Sequence, residues 1–259
     1  MLHMDKFLTA YIMMVVAILG AVFGSFINCM AWRMVHKENV LKGRSHCAFC
    51  DHPLGAVDLI PVFSYIFLKG RCRYCNQKIS MRYMITELFS AFMFVSLVWK
   101  YDVSFLTLRY VVLACILLGL SLVDFDSYEI PNGFIIMGIL WWIVTIPLME
   151  TSIMEEIKTG FIGGFAIGGG VFLCSLVMDF VLKKESMGGG DIKLYFMLGL
   201  YTGWVLGLFQ LIISCMIGIV FVFVLRRNTI PFAPAISLSA LITLLWGNEV
   251  VDWYLGLLL

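Results

Sequence analysis

The chain is expected to fold as an all-α, polytopic membrane protein of about eight transmembrane helices, with a cytoplasmic zinc-ribbon-like insertion between the first and second. Three observations lead there. Hydrophobic residues fill 61% of the 259 positions and charged residues only 14%, with a mean hydropathy of +0.96; a soluble domain is nearer half apolar and a quarter charged. The apolar residues gather in blocks of roughly 17 to 24, the length a helix needs to cross a bilayer. The polar residues gather too, in one stretch, 32–82, that carries two Cys-x-x-Cys pairs. The net charge of +1 says nothing about partners, but its distribution does.

The first span covers about 9–30 and is read as retained, because Ala31-Trp32-Arg33 makes a poor cleavage site. After the polar region, spans are expected at about 83–99, 105–123, 133–148, 159–182, 192–208, 209–225 and 234–258. Gly247-Asn248-Glu249 is the point at which the last would break, and the sixth and seventh adjoin with no charged loop between them. The chain thus divides into a first helix (1–31), a cysteine-bearing region (32–82) and a helical bundle (83–259).

Orientation follows from Lys and Arg in the short loops. Region 32–82 holds nine of them: Arg33, Lys37, Lys42, Arg44, Lys69, Arg71, Arg73, Lys78 and Arg82. Lys183 and Lys184 follow the fifth span, and Arg226 and Arg227 the seventh. The opposite side has only Lys6, Lys100 and Lys158, beside Glu150, Glu155 and Glu156. Alternation of eight spans puts every basic loop on one face, the cytoplasmic one, together with the loops that hold Asp124 and Asp191.

Cys47-Ala48-Phe49-Cys50 and Cys72-Arg73-Tyr74-Cys75 are separated by 21 residues. Two such knuckles supply the four thiolates that structural zinc prefers, against the alternative of unliganded thiols. A reducing compartment argues against disulfides, and a region with little core needs a staple. His46 and His52 are less regularly placed substitutes. Cys29, Cys115, Cys174 and Cys215 lie singly in apolar blocks and read as small packing residues. Gly163, Gly164, Gly168, Gly169 and Gly170 read as surfaces for close helix packing.

Asp191 ends Gly188-Gly189-Gly190-Asp191 and opens an apolar run that includes Lys193. It stands near a helix N-terminus, where free N–H groups favour an anion, and the glycines leave room for backbone or an extended substrate. A simple N-cap is the plainer reading. Asp124 closes the third span. Residues two apart on a helix point about 200° from each other, so Asp124, the deeper, faces the bundle and Asp126 faces water. Two carboxylates in one cleft would share a proton and divide acid and base roles. An ion pathway uses intramembrane carboxylates too, so on these residues alone protease and transporter stand level. Glu87, early in the second span, either snorkels to the interface or lines the active cleft.

The motifs, taken in order, then resemble a family. They run from Gly24-Ser25-Phe26-Ile27-Asn28 and Arg33 through both cysteine knuckles, with Ile60-Pro61-Val62-Phe63-Ser64-Tyr65 and Lys69-Gly70-Arg71 between them. Ile79-Ser80, Arg82-Tyr83, Glu87-Leu88, Asp124 with Ile130-Pro131-Asn132, Gly188 to Lys193, and Pro231-Phe232-Ala233-Pro234 follow. The chain resembles the type IV prepilin peptidases, bifunctional leader peptidase/N-methyltransferases of bacterial type IV pilus and type II secretion systems. The resemblance implies a GxGD-type aspartic protease in the inner membrane. Its catalytic pair would be Asp191 and the residue seven before Pro131, which is Asp124, with Gly188, Gly190, Lys193 and Glu87 in support. It implies prepilin or pseudopilin substrates and the lipid bilayer as partners, no nucleic acid, zinc on Cys47, Cys50, Cys72 and Cys75, and S-adenosylmethionine as methyl donor. Two departures, Met34-Val35 after Arg33 and Ala233 in place of a glycine, are expected to leave the aspartates untouched. The basic region 32–82 suits anionic headgroups and would repel a basic leader, which points to Glu87, Asp126 or Glu129 for leader contacts.

Overall fold

An apolar segment in lipid has no water to satisfy its backbone, so it closes its hydrogen bonds within itself as a helix. The computed structural model, which describes residues 6–40, 43–184, 187–225 and 230–258, follows that rule. Its helices are α1 (Lys6–Val35), α2 (Phe63–Phe67), α3 (Met81–Tyr101), α4 (Phe105–Ser127), α5 (Asn132–Thr145), α6 (Ile153–Leu182), α7 (Gly189–Leu225) and α8 (Ala233–Leu258). Short 3-10 turns lie at Ala56–Leu59 and Ile146–Leu148. Among the described residues the β structure amounts to two isolated bridges, His46 with Pro53 and Arg71 with Lys78. Lys42, Arg226 and Arg227 lie outside the described residues.

Six helices (α1, α3, α4, α6, α7 and α8) are long and apolar enough to cross a membrane; the expected eight are not reproduced as eight such helices. The segment 133–148 yields α5, which has 14 residues and is only about 21 Å long at 1.5 Å per residue. The segments 192–208 and 209–225 share α7, a 37-residue element. It is not straight. Gly203 has φ 70° and ψ −174°, a region essentially reserved for glycine. Tyr195 and Ser214 hydrogen-bond to each other 19 residues apart, although a straight helix would separate them by about 28 Å. The limbs 189–202 and 204–225 therefore fold back on one another at Gly203. The break anticipated at 247–249 is absent, and α8 continues to Leu258. A lone helical glycine costs only about 1 kcal/mol, and Gly247 sits where a Cβ would be 3.2 Å from Leu206 of α7.

The chain divides into two compact units, Met1–Thr107 and Leu108–Leu259. In the first, α1 lies against α3 at backbone range. A Cβ on Gly24 would come within 2.8 Å of the Ser90 Cβ, and one on Gly20 within 2.7 Å of the Ala91 Cα. Close packing of this kind is what associates helices in lipid. The Asn28 amide crosses the same contact to donate to the Thr86 hydroxyl and the Tyr83 carbonyl.

In the second unit α4 is the core, with Leu113 and Leu120 fully buried. Ser121 donates to Ser237 of α8 at 2.9 Å, the Trp141 indole of α5 to the Arg109 carbonyl at 3.1 Å, and Arg109 pairs with Glu156 of α6. Against α7, α6 presents Gly163, Gly164 and Gly168, and Gly163 meets Gly199 backbone to backbone. Gly169 and Gly170, expected to share that role, instead face open space.

Conformation and space can thus be separated by substitution. Gly203→Ala has room for its methyl group but the wrong φ, and is expected to cost about 1–3 kcal/mol. Gly169→Ala, helical and in open space, should be neutral or stabilising by up to about 1 kcal/mol. Thermal unfolding of the detergent-solubilised variants measures both.

Candidate active site and metal centre

Asp124 stands in the last turn of α4 and is 5% exposed, whereas Asp126 is exposed, as the 100° step of a helix requires. One Asp124 oxygen, Oδ2, accepts the Ala233 N–H at 3.1 Å. That N–H begins α8, and helix-initial N–H groups have no partner within their own helix. Position 233 thus meets Asp124 through its backbone N–H, which alanine and glycine supply alike. A backbone donor 109 residues away in sequence has no side-chain signature by which it could have been foreseen.

Asp191 is the third residue of α7, and its N–H returns to the Gly188 carbonyl at 3.1 Å. Gly190 is there for proximity, since a Cβ would lie 2.8 Å from the Ile130 Cβ. Asp124 and Asp191 line the same cavity, of about 220 Å³. Tyr128, Ile130, Gly188 and Gly190 form part of its wall, and Ile230, Pro231 and Phe232 complete it. Lys193 is turned outward, its Nζ donating to Asn132 Oδ1 at 3.0 Å. The Ile-Pro-Asn element therefore has three jobs. Ile130 seats the glycine turn, Pro131 caps α5 and Asn132 holds Lys193. Tyr128 is a wall residue with no signal in the sequence, and Phe232 one marked only by its place in the Pro231–Pro234 motif.

Glu87 belongs to the N-terminal unit, where it is buried and accepts the Val62 N–H at 2.7 Å. Val62 has φ 63° and ψ −53°, and the Phe63 N–H reaches back to the Pro61 carbonyl at 2.6 Å. This is a γ-turn of the positive-φ, strained kind. Glu87 anchors that turn to α3.

The second site is the cysteine cluster. The Sγ atoms of Cys47, Cys50, Cys72 and Cys75 all lie within 4.8 Å of one another, with Cys47 and Cys75 at 3.8 Å. Four sulfurs about 2.3 Å from a tetrahedral zinc would stand about 3.8 Å apart, so the donor set and its spacing fit the metal. The two knuckles are built alike. Asp51 N–H returns to the Cys47 carbonyl at 2.9 Å and Asn76 N–H to that of Cys72 at 3.0 Å, with φ of 55° and 62°, values that Asp and Asn tolerate best. His46 lies 4.0 Å from Glu38 and His52 packs on Tyr74, neither within the cluster. Of the single cysteines expected to be packed, Cys29 and Cys115 are half-buried, but Cys174 and Cys215 are exposed on long apolar helices.

Asp58 clamps the second knuckle. It accepts from Arg73 Nε at 2.7 Å, the Tyr74 hydroxyl at 3.0 Å and the Gly55 N–H at 3.1 Å. Burial alone would push its carboxyl upward, but the Gly55 N–H, the Tyr74 hydroxyl and the Arg73 charge outweigh burial and hold it below the ordinary value of 3.8.

The Bacterial Peptidase A24 N-terminal domain family matches residues 18–101, and the Type IV leader peptidase family matches residues 111–223. A prepilin leader peptidase/N-methyltransferase of Aeromonas salmonicida (strain A449) is 34% identical over 237 residues, covering 86% of this chain and 78% of that protein. One from Pseudomonas putida is 30% identical over 271 residues, covering 93% of each. One from Bacillus subtilis (strain 168) is 28% identical over 249 residues, covering 93% of this chain and 97% of that protein. No solved structure matches the chain.

Two outcomes follow for the cysteine-bearing region. Cys47→Ser should abolish stoichiometric zinc, measured by elemental analysis of the purified protein. Because the Asp58 carboxyl is depressed below 3.8 on folding, the stability its clamp adds is fully present above that value and is lost as pH falls through the lower folded value. Asp58→Asn should release metal to a chelator several-fold faster at neutral pH, with the difference from wild type shrinking on acidification.

Proposed function

The chain belongs to the type IV leader peptidase family, and from that premise we propose that it removes the basic leader of prepilins or pseudopilins with Asp124 and Asp191 as the catalytic pair. It then methylates the new N-terminus, in the service of pilus assembly or type II secretion. The observation that carries this reading is the single cavity lined by both carboxylates.

The chemistry needs only what that cavity offers. One carboxylate takes a proton from water as the water oxygen bonds to the scissile carbonyl carbon, and its partner gives a proton to the carbonyl oxygen. The tetrahedral adduct collapses, the C–N bond breaks, and the amine leaves with a proton returned by the pair. Asp124 is kept in register by the Ala233 N–H. Gly188, where a Cβ would stand 3.4 Å from Asp191 Oδ2, presents no side chain to an extended peptide, which lets the substrate backbone approach Asp191.

The substrate is itself a membrane helix with a basic leader, so an enzyme with its acids at the membrane rim meets the junction without extracting it. Lys and Arg in the short loops favour the cytoplasmic side of the inner membrane. Exposed Asp126 and Glu129, close in sequence to Asp124 and Tyr128, suit the leader's positive charge. Zinc on Cys47, Cys50, Cys72 and Cys75 would staple the polar region. The methyl donor on this reading is S-adenosylmethionine.

Co-expression with a prepilin tests the pair. Asp124→Ala and Asp191→Ala should each lower leader removal by about 10²–10⁴-fold or more, read as persistence of the longer precursor, while Asp126→Ala cuts normally. Continued cleavage by either of the first two variants would refute the pair. Asp126→Lys with Glu129→Lys should raise KM for the wild-type prepilin with little change in kcat. Methylation, scored on a peptide already freed of its leader, should survive the loss of either catalytic aspartate.

A further inference from the structure

The N-terminal unit leaves one apolar surface outside its bundle. In α2, Phe63 is 61%, Ile66 57% and Phe67 80% exposed, and Ile60 just ahead of them is 45% exposed. A five-residue helix with three large apolar side chains in solvent is not what a ribbon standing free in water would carry.

Its depth is fixed by Glu87. The turn that starts α2 is tied through the Val62 N–H to the Glu87 carboxylate, and Glu87 lies six residues, or about 9 Å, into α3. With 21 residues, α3 is about 31 Å long, scarcely more than the hydrocarbon thickness of about 30 Å. A helix with so little length to spare starts at the headgroup boundary and holds Glu87 about 9 Å below it, and the Val62–Glu87 bond brings the start of α2 towards the same depth. The flanking charge matches that position. Lys69 follows α2, and Arg71 and Lys78 pair across a β-bridge, all three exposed.

We propose that the segment 56–67 is a membrane-interface anchor. Phe63, Ile66 and Phe67 enter the acyl boundary, and Lys69, Arg71 and Lys78 meet anionic headgroups, so that the cysteine cluster rests on the bilayer surface. Interfacial helices bury their apolar face about 5–10 Å into this boundary and gain from anionic lipid, which is the depth that Glu87 sets.

The test uses the full-length enzyme in vesicles of phosphatidylethanolamine and phosphatidylglycerol, with the photoreactive amino acid benzoylphenylalanine in place of Phe67. Irradiation is expected to give a lipid adduct as the main product. That adduct should be lost when Phe63→Ser and Ile66→Ser are added, and should fall several-fold when phosphatidylcholine replaces phosphatidylglycerol. Zinc content, unchanged throughout, reports that the ribbon has folded. Cross-links to residues 108–259 or to an added prepilin peptide, in place of lipid, would overturn the proposal. So would a lipid adduct indifferent to the serine substitutions, or an irradiated protein with no adduct.

Discussion

Inside a bilayer a polar group has only the protein to bond to, and Asp124 shows what that demands. An unsatisfied buried carboxylate costs several kcal/mol, and here the compensation is the first N–H of α8, at 3.1 Å. The bond joins the last turn of α4 to the first of α8. One turn away along both helices, Ser121 donates to Ser237, so two polar contacts set the register of the pair. The segment leading into α8, with Pro231 and Phe232, is thereby held as a wall of the cavity. The manner of satisfaction matters as much as its existence. A lysine or arginine on Asp124 would bind its charge and quench its exchange of protons with a neighbour. A backbone N–H fixes the oxygen and supplies no counter-charge. Lys193, only two residues from Asp191, is engaged by Asn132 instead.

The same rule shapes the N-terminal unit to a different end. Glu87 and Asp124 are both buried carboxylates near the end of a long apolar helix, and both accept one backbone N–H. Glu87 accepts from a strained turn and thereby fixes a segment. Asp124 accepts from a helix start and keeps company with a second carboxylate in an open cavity. Burial and bonding alone do not distinguish a structural acid from a reactive one. Asp124 shares a cavity with a second carboxylate, and the reactive role proposed for it rests on that feature.

Much of this was legible in the chain, and the parts that were not share a cause. The cysteine knuckles are local: four residues bring each pair of sulfurs together, and the spacing alone names the chemistry. The choice of Asp124 over Asp126 rests on helix geometry and holds, the one buried and the other exposed. The reversal of α7 at Gly203 was placed at 208/209, since no charge or proline marks it within a continuous apolar run and glycine is common in membrane helices. Gly169 and Gly170 could not be told from Gly163 and Gly168, because a helix face acquires meaning only once its partner is known. Ala233 and Val62 were invisible as partners of carboxylates for a plainer reason. Every residue but proline has an N–H, so a backbone donor leaves no mark in composition.

The two sites also differ in what maintains them, and that difference bears on how far their failures can spread. The cysteine region has little apolar core; its four sulfurs gather within 4.8 Å of one another, a set that would hold a metal, and the Asp58 clamp bonds Arg73 and Tyr74 inside the second knuckle. Losing one ligand from such a set removes the constraint on both knuckles at once. The aspartate cavity rests on packed helices, with Leu113, Leu120, Leu194 and Ala233 essentially excluded from solvent and the α6–α7 contact closed backbone to backbone through Gly163 and Gly199. Its bonds to Asp124 and its glycine turn at Ile130 are completed within the Leu108–Leu259 unit. Among the described residues, the contacts named at the two carboxylates, with Ala233, Gly188 and Ile130, lie outside the cysteine cluster. Substitution of a cluster cysteine should accordingly leave the packing around Asp124 and Asp191 unchanged, read as undiminished protection of the Leu108–Leu259 unit from proteolysis.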